Sequence, residues 1–495
     1  MFESAELGHK LDKASFDLEV PILREAMLEA QIDVARLAKF PVIILIGGVD
    51  GAGRSETVNL LNEWMDPRFV QTHGMGAPSD EELDRPMMWR FWRALPPKGR
   101  TGIFLGSWYT WPILNCVKGR TQISDLDQSL ERAERLEKML VNEGALVLKF
   151  WLHLSKNDQE KRLKILEKDP KTSWRVTKRD WRHFKLYDEF RAVHEHVIRH
   201  TSTAEAPWTI VEGMDTRYRS LTIGKVILAA IQKRLQEANQ KPVVRHATPR
   251  LSSIDQIDVL KMLDLDQLLD KKTYERQLAK YQGTLALLIR NPKFKKITVV
   301  AMFEGNDAAG KGGAIRRITS ALDARFYTIN PIAAPTEEER AQPYLWRFWR
   351  HVPRRGRVTI FDRSWYGRVL VERVEKFCCE ADWMRAYSEI NDFEAQLERH
   401  DIVVAKFWLA ISKDEQLRRF KEREEIGFKR FKITEEDWRN REKWDEYTGA
   451  VCDMVDRTST EIAPWTLVEA NDKRFARIKI LKTLCSQIES AMQKN

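Results

Sequence analysis

Apolar residues fall along this chain in short runs, and between the runs charged residues recur at helical spacing. In the second half, residues 297–303 form a short run rich in β-branched side chains. A glycine-rich loop follows, then a helical pattern over residues 312–322. Residues 358–361 make a second short run that ends at Asp362, residues 402–409 a third and residues 465–468 a fourth. Long charged helical patterns, such as residues 382–399 and 414–425, lie between them. Strands alternating with helices predict an α/β fold with a mostly parallel sheet. Such sheets bind ligands at the carboxyl ends of their strands, where both the glycine loop and Asp362 fall. The longest apolar stretch, residues 40–49, has the length of a buried strand and a turn and is too short to span a bilayer.

The pattern occurs twice. A shift of 257 residues carries Gly48 onto Gly305, and Trp89-Arg90-Phe91-Trp92-Arg93 onto Trp346-Arg347-Phe348-Trp349-Arg350. The same shift carries Ser107-Trp108-Tyr109 onto Ser364-Trp365-Tyr366 and Lys149-Phe150-Trp151-Leu152 onto Lys406-Phe407-Trp408-Leu409. It also superposes Thr201-Ser202-Thr203 on Thr458-Ser459-Thr460 and Ala206-Pro207-Trp208 on Ala463-Pro464-Trp465. A period this long indicates duplicated domains rather than a solenoid. We expect one domain over residues 1–240, a linker over 241–256 where Pro242, Pro249 and Ser252-Ser253 interrupt the helical pattern, and a second domain over 257–495.

The second copy carries the chemistry. Gly305-Asn306-Asp307-Ala308-Ala309-Gly310-Lys311-Gly312-Gly313 has the spacing of a phosphate-binding loop between a strand and a helix. Glycines at Gly305, Gly310, Gly312 and Gly313 let backbone N–H groups converge on phosphate oxygens, the helix N-terminus adds positive charge, and Lys311 neutralises the phosphoryl group being transferred. The residue after the lysine is Gly312, where a serine or threonine hydroxyl would serve Mg²⁺. Asp307 and Asp362 are therefore the candidate metal ligands, since Mg²⁺ is satisfied by one or two carboxylates with waters and phosphates. Arg363 and Arg368, beside Asp362, suit a clamp for phosphate charge. Arg423, Lys429, Arg430 and Lys432 surround a helix break at Gly427 and predict a basic lid closing over phosphates. The aromatic Trp-Arg-Phe-Trp-Arg segment invites a nucleic-acid reading. Both copies carry it whatever the state of their loops, so packing is the favoured role.

In combination, residues 305–313, Phe361-Asp362-Arg363-Ser364-Trp365-Tyr366 and Lys406-Phe407-Trp408-Leu409 resemble polyphosphate kinase family 2. The resemblance covers essentially all of the second copy and, more weakly, the first. The tandem arrangement is similar to the family's two-domain branch, whose members transfer phosphate from inorganic polyphosphate to AMP. The resemblance implies two tandem P-loop kinase domains of thymidylate-kinase type, each a mostly parallel sheet flanked by helices, with a helical lid. It further implies Mg²⁺ as cofactor, polyphosphate and AMP as substrates, and self-assembly into a homo-oligomer. Asp307 and Lys311 match the family's loop residues, Asp362, Arg363 and Arg368 its second motif, and the basic stretch through Lys432 its lid. Three other readings stay open on sequence grounds: a polyphosphate-dependent nucleoside diphosphate kinase or the reverse synthesis of polyphosphate, an ATP-dependent kinase, and a P-loop nucleic-acid-binding protein. The last is disfavoured because the basic residues gather at the phosphate loop and no recognition motif is present.

The first copy is degenerate. Arg54 stands at the Lys311 position, Ser55 at Gly312, Leu105 at Asp362, Gly106 at Arg363 and Trp111 at Arg368, while Asp50, Gly48 and Gly53 are kept. A leucine cannot ligate a metal, so this copy is expected to be catalytically silent.

Composition adds a boundary condition. The 495 residues carry 83 Lys and Arg against 73 Asp and Glu, a formal charge of +10 that favours a polyanionic partner. The excess does not mark the active half: 39 basic residues face 34 acidic ones over residues 1–250, and 44 face 39 over the rest. Five cysteines without metal-type spacing, and a polar, acidic N-terminus unlike a secretory signal, predict a cytoplasmic protein with neither membrane nor nucleic acid as partner.

Overall fold

A computed structural model describes residues 1–239, 259–427, 431 and 433–494. The expected linker, 241–256, lies outside the described residues. The chain forms two compact units: residues 1–78, 90–243 and 335–347 in one, and 79–89, 244–334 and 348–495 in the other. The two short segments, 79–89 and 335–347, are related by the 257-residue shift. Within the first unit the Lys98 N–H donates to Ala341 O at 2.8 Å and Gln342 Nε2 to Leu95 O at 3.2 Å. Within the second, Arg85 Nε donates to Val352 O at 2.8 Å and Arg354 pairs with Asp84 at 2.7 Å. The sequence boundary near residue 240 therefore describes the two copies, while the compact units also take in these two short segments.

Each unit holds one five-stranded parallel sheet. In the first the order is β2-β3-β1-β4-β5, with β1 Val42–Gly48, β2 Val70–Gly74, β3 Thr101–Leu105, β4 Leu146–His153 and β5 Trp208–Glu212. In the second it is β7-β8-β6-β9-β10, with β6 Thr298–Gly305, β7 Tyr327–Pro331, β8 Val358–Asp362, β9 Ile402–Ala410 and β10 Trp465–Glu469. The central strand β6 lies between β8 and β9 and is buried on both faces, which is why its sequence is continuously apolar rather than alternating. β7 escapes the hydrophobic pattern because it is an edge strand with mostly exposed side chains and a terminal proline. Register sets Asp362 beside Phe303, two residues before Gly305, so the end of β8 and the glycine loop lie side by side. The aromatics of the Trp-Arg-Phe-Trp-Arg segments pack inward. Phe348 and Trp349 are buried, as are Phe91 and Trp92, and Phe348 meets Trp365 edge-on at 5.8 Å.

Beneath each sheet end lies a buried charge pair. Lys406 on β9 and Glu394 on the helix Glu380–Glu398 are both buried, with Nζ and Oε2 2.8 Å apart. Glu394 also accepts from Trp365 Nε1 at 3.0 Å and Tyr366 OH at 2.7 Å. Lys406 donates to Thr458 O at 2.6 Å, and the Thr458 hydroxyl accepts from Trp465 Nε1 at 2.9 Å. Burial raises the Glu394 carboxyl above its ordinary pKa and lowers that of the Lys406 ammonium, while each partner's charge opposes the shift. The first unit repeats the arrangement with Lys149, Glu137, Trp108, Tyr109, Thr201 and Trp208. The duplicated sequence motifs are thus one hydrogen-bonded network.

Lys406→Met strands a buried carboxylate, and we expect a loss of about 3–5 kcal/mol. Lys479→Met, which removes a partly exposed partner of Glu469, should cost less than about 1 kcal/mol. Urea unfolding of both variants checks this, and equal shifts would contradict the network's role.

Candidate active site

The phosphate loop of the second unit is shaped by close backbone approach. Gly305 has φ of 148°, and a Cβ there would lie 2.4 Å from Leu409 O on β9. Asn306 ties the loop to the end of β9, its Oδ1 accepting the Ile411 N–H at 3.2 Å. Arg419, almost fully buried on the helix Lys413–Glu425, donates to Ala308 O at 2.9 Å, Ala309 O at 3.0 Å, Ala470 O at 2.7 Å and Asn471 O at 2.8 Å. One guanidinium thereby joins the loop to the turn after β10. The helix Lys311–Thr319 then begins at Gly310, whose φ is 111°.

Above the loop lies a cleft of about 580 Å³. Asp307, Gly310, Lys311, Gly312, Gly313, Asp362, Arg363 and Arg423 all line it, so most of the residues expected from sequence converge. Gly305 and Asn306 line a smaller adjoining pocket that shares Asp307, Lys311 and Arg363 with the cleft. Lys311 curls back, donating to Gly305 O at 2.7 Å. Asp307 accepts from Asn440 Nδ2 at 2.9 Å and lies 3.7 Å from the Arg363 guanidinium. Burial pulls the Arg363 pKa down, but Asp307, Glu304 and Glu436 outweigh it and hold the value above normal. Arg368 lines neither pocket and pairs with Glu372 at 3.1 Å. Lys429, Arg430 and Lys432 lie outside the described residues.

Arg363 is one of five non-glycine residues with positive φ among the described residues, at 64°. Its counterpart in the first unit is Gly106, at φ 85°. A long cation held where glycine is at ease stores backbone strain of about 1–3 kcal/mol, which points to a functional demand on that side chain.

The cleft and its adjoining pocket also contain residues that sequence reading missed. Glu304, buried at the end of β6, accepts from the Ser364 N–H at 2.7 Å and the Ser364 hydroxyl at 2.8 Å, and so fixes the turn that carries Arg363. Burial raises its pKa against the pull of Lys311. Arg316, Lys473 and Arg477 line the cleft and form no ion pair among the described residues. Lys473 carried a signal, since it closes the turn after the last apolar run. Arg316 and Arg477 carried none, because each lies on a helix with many other charges.

The corresponding loop of the first unit is neutralised by the unit's own side chains. Glu56, at the Gly313 position, pairs with Arg162 at 3.2 Å, Arg175 at 2.7 Å and Arg219 at 2.8 Å. Arg219 is buried and donates to Ala52 O at 3.1 Å, and a Cβ on Gly53 would lie 2.2 Å from its guanidinium. Burial raises the pKa of Asp50, but its pairing with Arg54 and a hydrogen bond with His183 Nδ1 at 2.8 Å outweigh burial and bring it down to about 2. The helix N-terminus is occupied by the unit's own carboxylate, where the second unit leaves an open basic cleft.

Known proteins carry the same architecture. A polyphosphate:AMP phosphotransferase of Pseudomonas aeruginosa is 60% identical over 495 residues, covering 100% of both chains. One from Acinetobacter johnsonii is 39% identical over 451 residues and 91% of each chain. A crystal structure described as a polyphosphate kinase 2 from P. aeruginosa superposes with a TM-score of 0.90 at 57% identity, over 100% of both chains. The family model described as Polyphosphate kinase 2 (PPK2) matches residues 10–239 and again 268–495. Two parallel sheets with one duplicated buried network, a phosphate loop beside Asp362 and Arg363, and matches over both copies have one conclusion: the chain belongs to the polyphosphate kinase 2 family.

Proposed function

We propose that the second unit transfers the terminal phosphoryl group of inorganic polyphosphate to AMP, giving ADP, and that the first unit is catalytically silent. The observation that carries the assignment is the contrast between two copies of one scaffold. Only the second has Lys311, Asp362 and Arg363 facing a cleft in which Arg316, Lys473 and Arg477 form no ion pair among the described residues. The full-length relatives named for this activity agree with it.

The cleft suits phosphoryl transfer, which demands positioning and charge neutralisation more than a strong base. Arg316, Lys473 and Arg477 bind the polyanion. The loop N–H groups and Lys311 hold the transferring group once the Lys311 ammonium leaves its own loop carbonyls. Arg363, set by Glu304 and Ser364, stabilises the charge that develops in the transition state. Asp307 and Asp362 are the residues that would hold Mg²⁺. Among the described residues no three His, Cys, Asp or Glu side chains gather as a metal site, so the remaining ligands would be phosphate oxygens and water. The ion would supply charge neutralisation and template the phosphates. Five free thiols fit a reducing cytoplasm, and no helix among the described residues is long and apolar enough to cross a membrane.

Incubation with Mg²⁺, AMP and polyphosphate, without ATP, should yield ADP by chromatography, and chelation should stop it. ADP formed only when ATP is supplied would overturn the reading. Lys311→Ala should slow turnover by about a hundredfold or more, the range for losing one preorganised charge contact, while Arg54→Ala should change little. Equal losses would refute the silence of the first unit. Arg363→Gly should lose a similar factor with no loss of thermal stability, because glycine relieves the positive φ. A variant that melts early instead would make Arg363 a structural residue.

A further inference from the structure

Asp307 lies within the phosphate loop, and its counterpart 257 residues earlier is Asp50. The two carboxylates are spent differently. In the first unit Asp50 Oδ1 accepts from Arg54 and Oδ2 is hydrogen-bonded to His183 Nδ1 at 2.8 Å, so a basic group meets each oxygen. In the second, Asp307 Oδ2 accepts from Asn440 Nδ2 at 2.9 Å, and Arg363 lies 3.7 Å from Oδ1, beyond hydrogen-bond reach. Asn440 occupies the position of His183. An amide donates a hydrogen bond and carries no charge. It therefore fixes the direction of the carboxylate and leaves its negative charge available.

An amide serves this purpose in one orientation only. Turned over, its oxygen would face the carboxylate and repel it. Tyr447, on the helix Trp444–Thr458, removes that choice: its hydroxyl donates to Asn440 Oδ1 at 3.1 Å, which directs Nδ2 at Asp307. The helix Glu435–Glu442 that carries Asn440 is pinned in turn. Glu375, with a side chain 5% exposed, pairs with Arg439 at 3.1 Å and with Lys443 at 2.9 Å. Asn440 and Tyr447 line the adjoining pocket together with Asp307, Lys311 and Arg363, so the arrangement reaches the phosphate loop itself. In the first unit Phe190 stands at the Tyr447 position, Lys118 at Glu375 and Leu186 at Lys443. The hydroxyl, the anchor and the neutral amide are missing together from these positions in the copy that lacks Asp362. We propose that Asn440 is a positioning residue for phosphoryl transfer, holding Asp307 in one direction without discharging it, with Tyr447 setting its amide and Glu375 fixing its helix. The inference rests on the transfer reaction assigned above to the second unit.

Two measurements on the intact chain test it. The first is steady-state formation of ADP from AMP and polyphosphate. Asn440→Leu keeps the bulk and removes the donor, and should lower kcat about tenfold with the KM for AMP unchanged, the worth of one hydrogen bond to a charged group. Tyr447→Phe installs the residue that the first unit already accommodates at this place, and should lower kcat by a smaller factor, about threefold, in the same pattern. The second is calorimetric titration with polyphosphate in the absence of AMP. Asn440→Leu should weaken binding about fivefold in Mg²⁺ and leave it unchanged in EDTA, because the oriented carboxylate matters only where it shares a cation with the phosphates. Wild-type rates in both variants, or equal weakening in Mg²⁺ and in EDTA, would overturn the proposal, since a mere loss of packing acts in both buffers alike. A wild-type chain that makes no ADP from these substrates would instead defeat the functional assignment, and this inference with it.

Discussion

A lysine ammonium and a glutamate carboxylate, both withdrawn from water, organise each half of this molecule. Burying two charges is costly unless every remaining proton and lone pair is met. Here the pair is met by an indole, a phenol, a threonine carbonyl and a second indole acting through the threonine hydroxyl. The pair and its partners come from the turn after β8, the helix Glu380–Glu398, β9, the end of the helix Trp444–Thr458 and the start of β10, so one electrostatic requirement specifies how five segments meet. The requirement is directional as well as energetic. An apolar substitute would fill the space without dictating which segment faces which.

The cleft of the second unit hangs from that scaffold. Trp365 and Tyr366 are anchored to Glu394, which leaves the two preceding residues little freedom, and the Asp362–Arg363 corner is thrown toward the loop. Glu304 grips the same corner from the neighbouring strand, and Arg419 braces the loop from beneath. Rigidity comes from hydrogen bonds and ion pairs made by buried side chains. The residues at the cleft wall are correspondingly strained or unsatisfied, with Arg363 in the left-handed region and Lys311 turned onto its own loop.

Much of this was legible in the sequence. Glycine spacing, the apolar runs and the internal repeat are local signals, and each carries a physical reason that composition alone preserves. What the sequence left out was of another kind. β7 was hidden because an edge strand needs no apolar alternation. Arg368 looks like Arg363 in sequence, yet Glu372 one turn further along the chain takes up its charge. The even split of basic residues between the halves was misleading for the same reason. In the first unit three arginines are spent on Glu56, whereas in the second the equivalent space holds glycine. Pairing is a property of three-dimensional proximity, and counting charges does not reveal it.

The self-neutralised loop of the first unit also closes a path. Restoring a lysine at Arg54 would not recreate a phosphate site while Arg219 lies against Gly53 and Glu56 occupies the helix N-terminus. Removing either partner alone leaves the other poorly compensated, at a cost of several kcal/mol if it stays buried. Either of these steps taken alone therefore passes through a less stable first unit. The divergence of the two copies behaves as a ratchet, held by the folding energetics of one half and indifferent to the chemistry of the other.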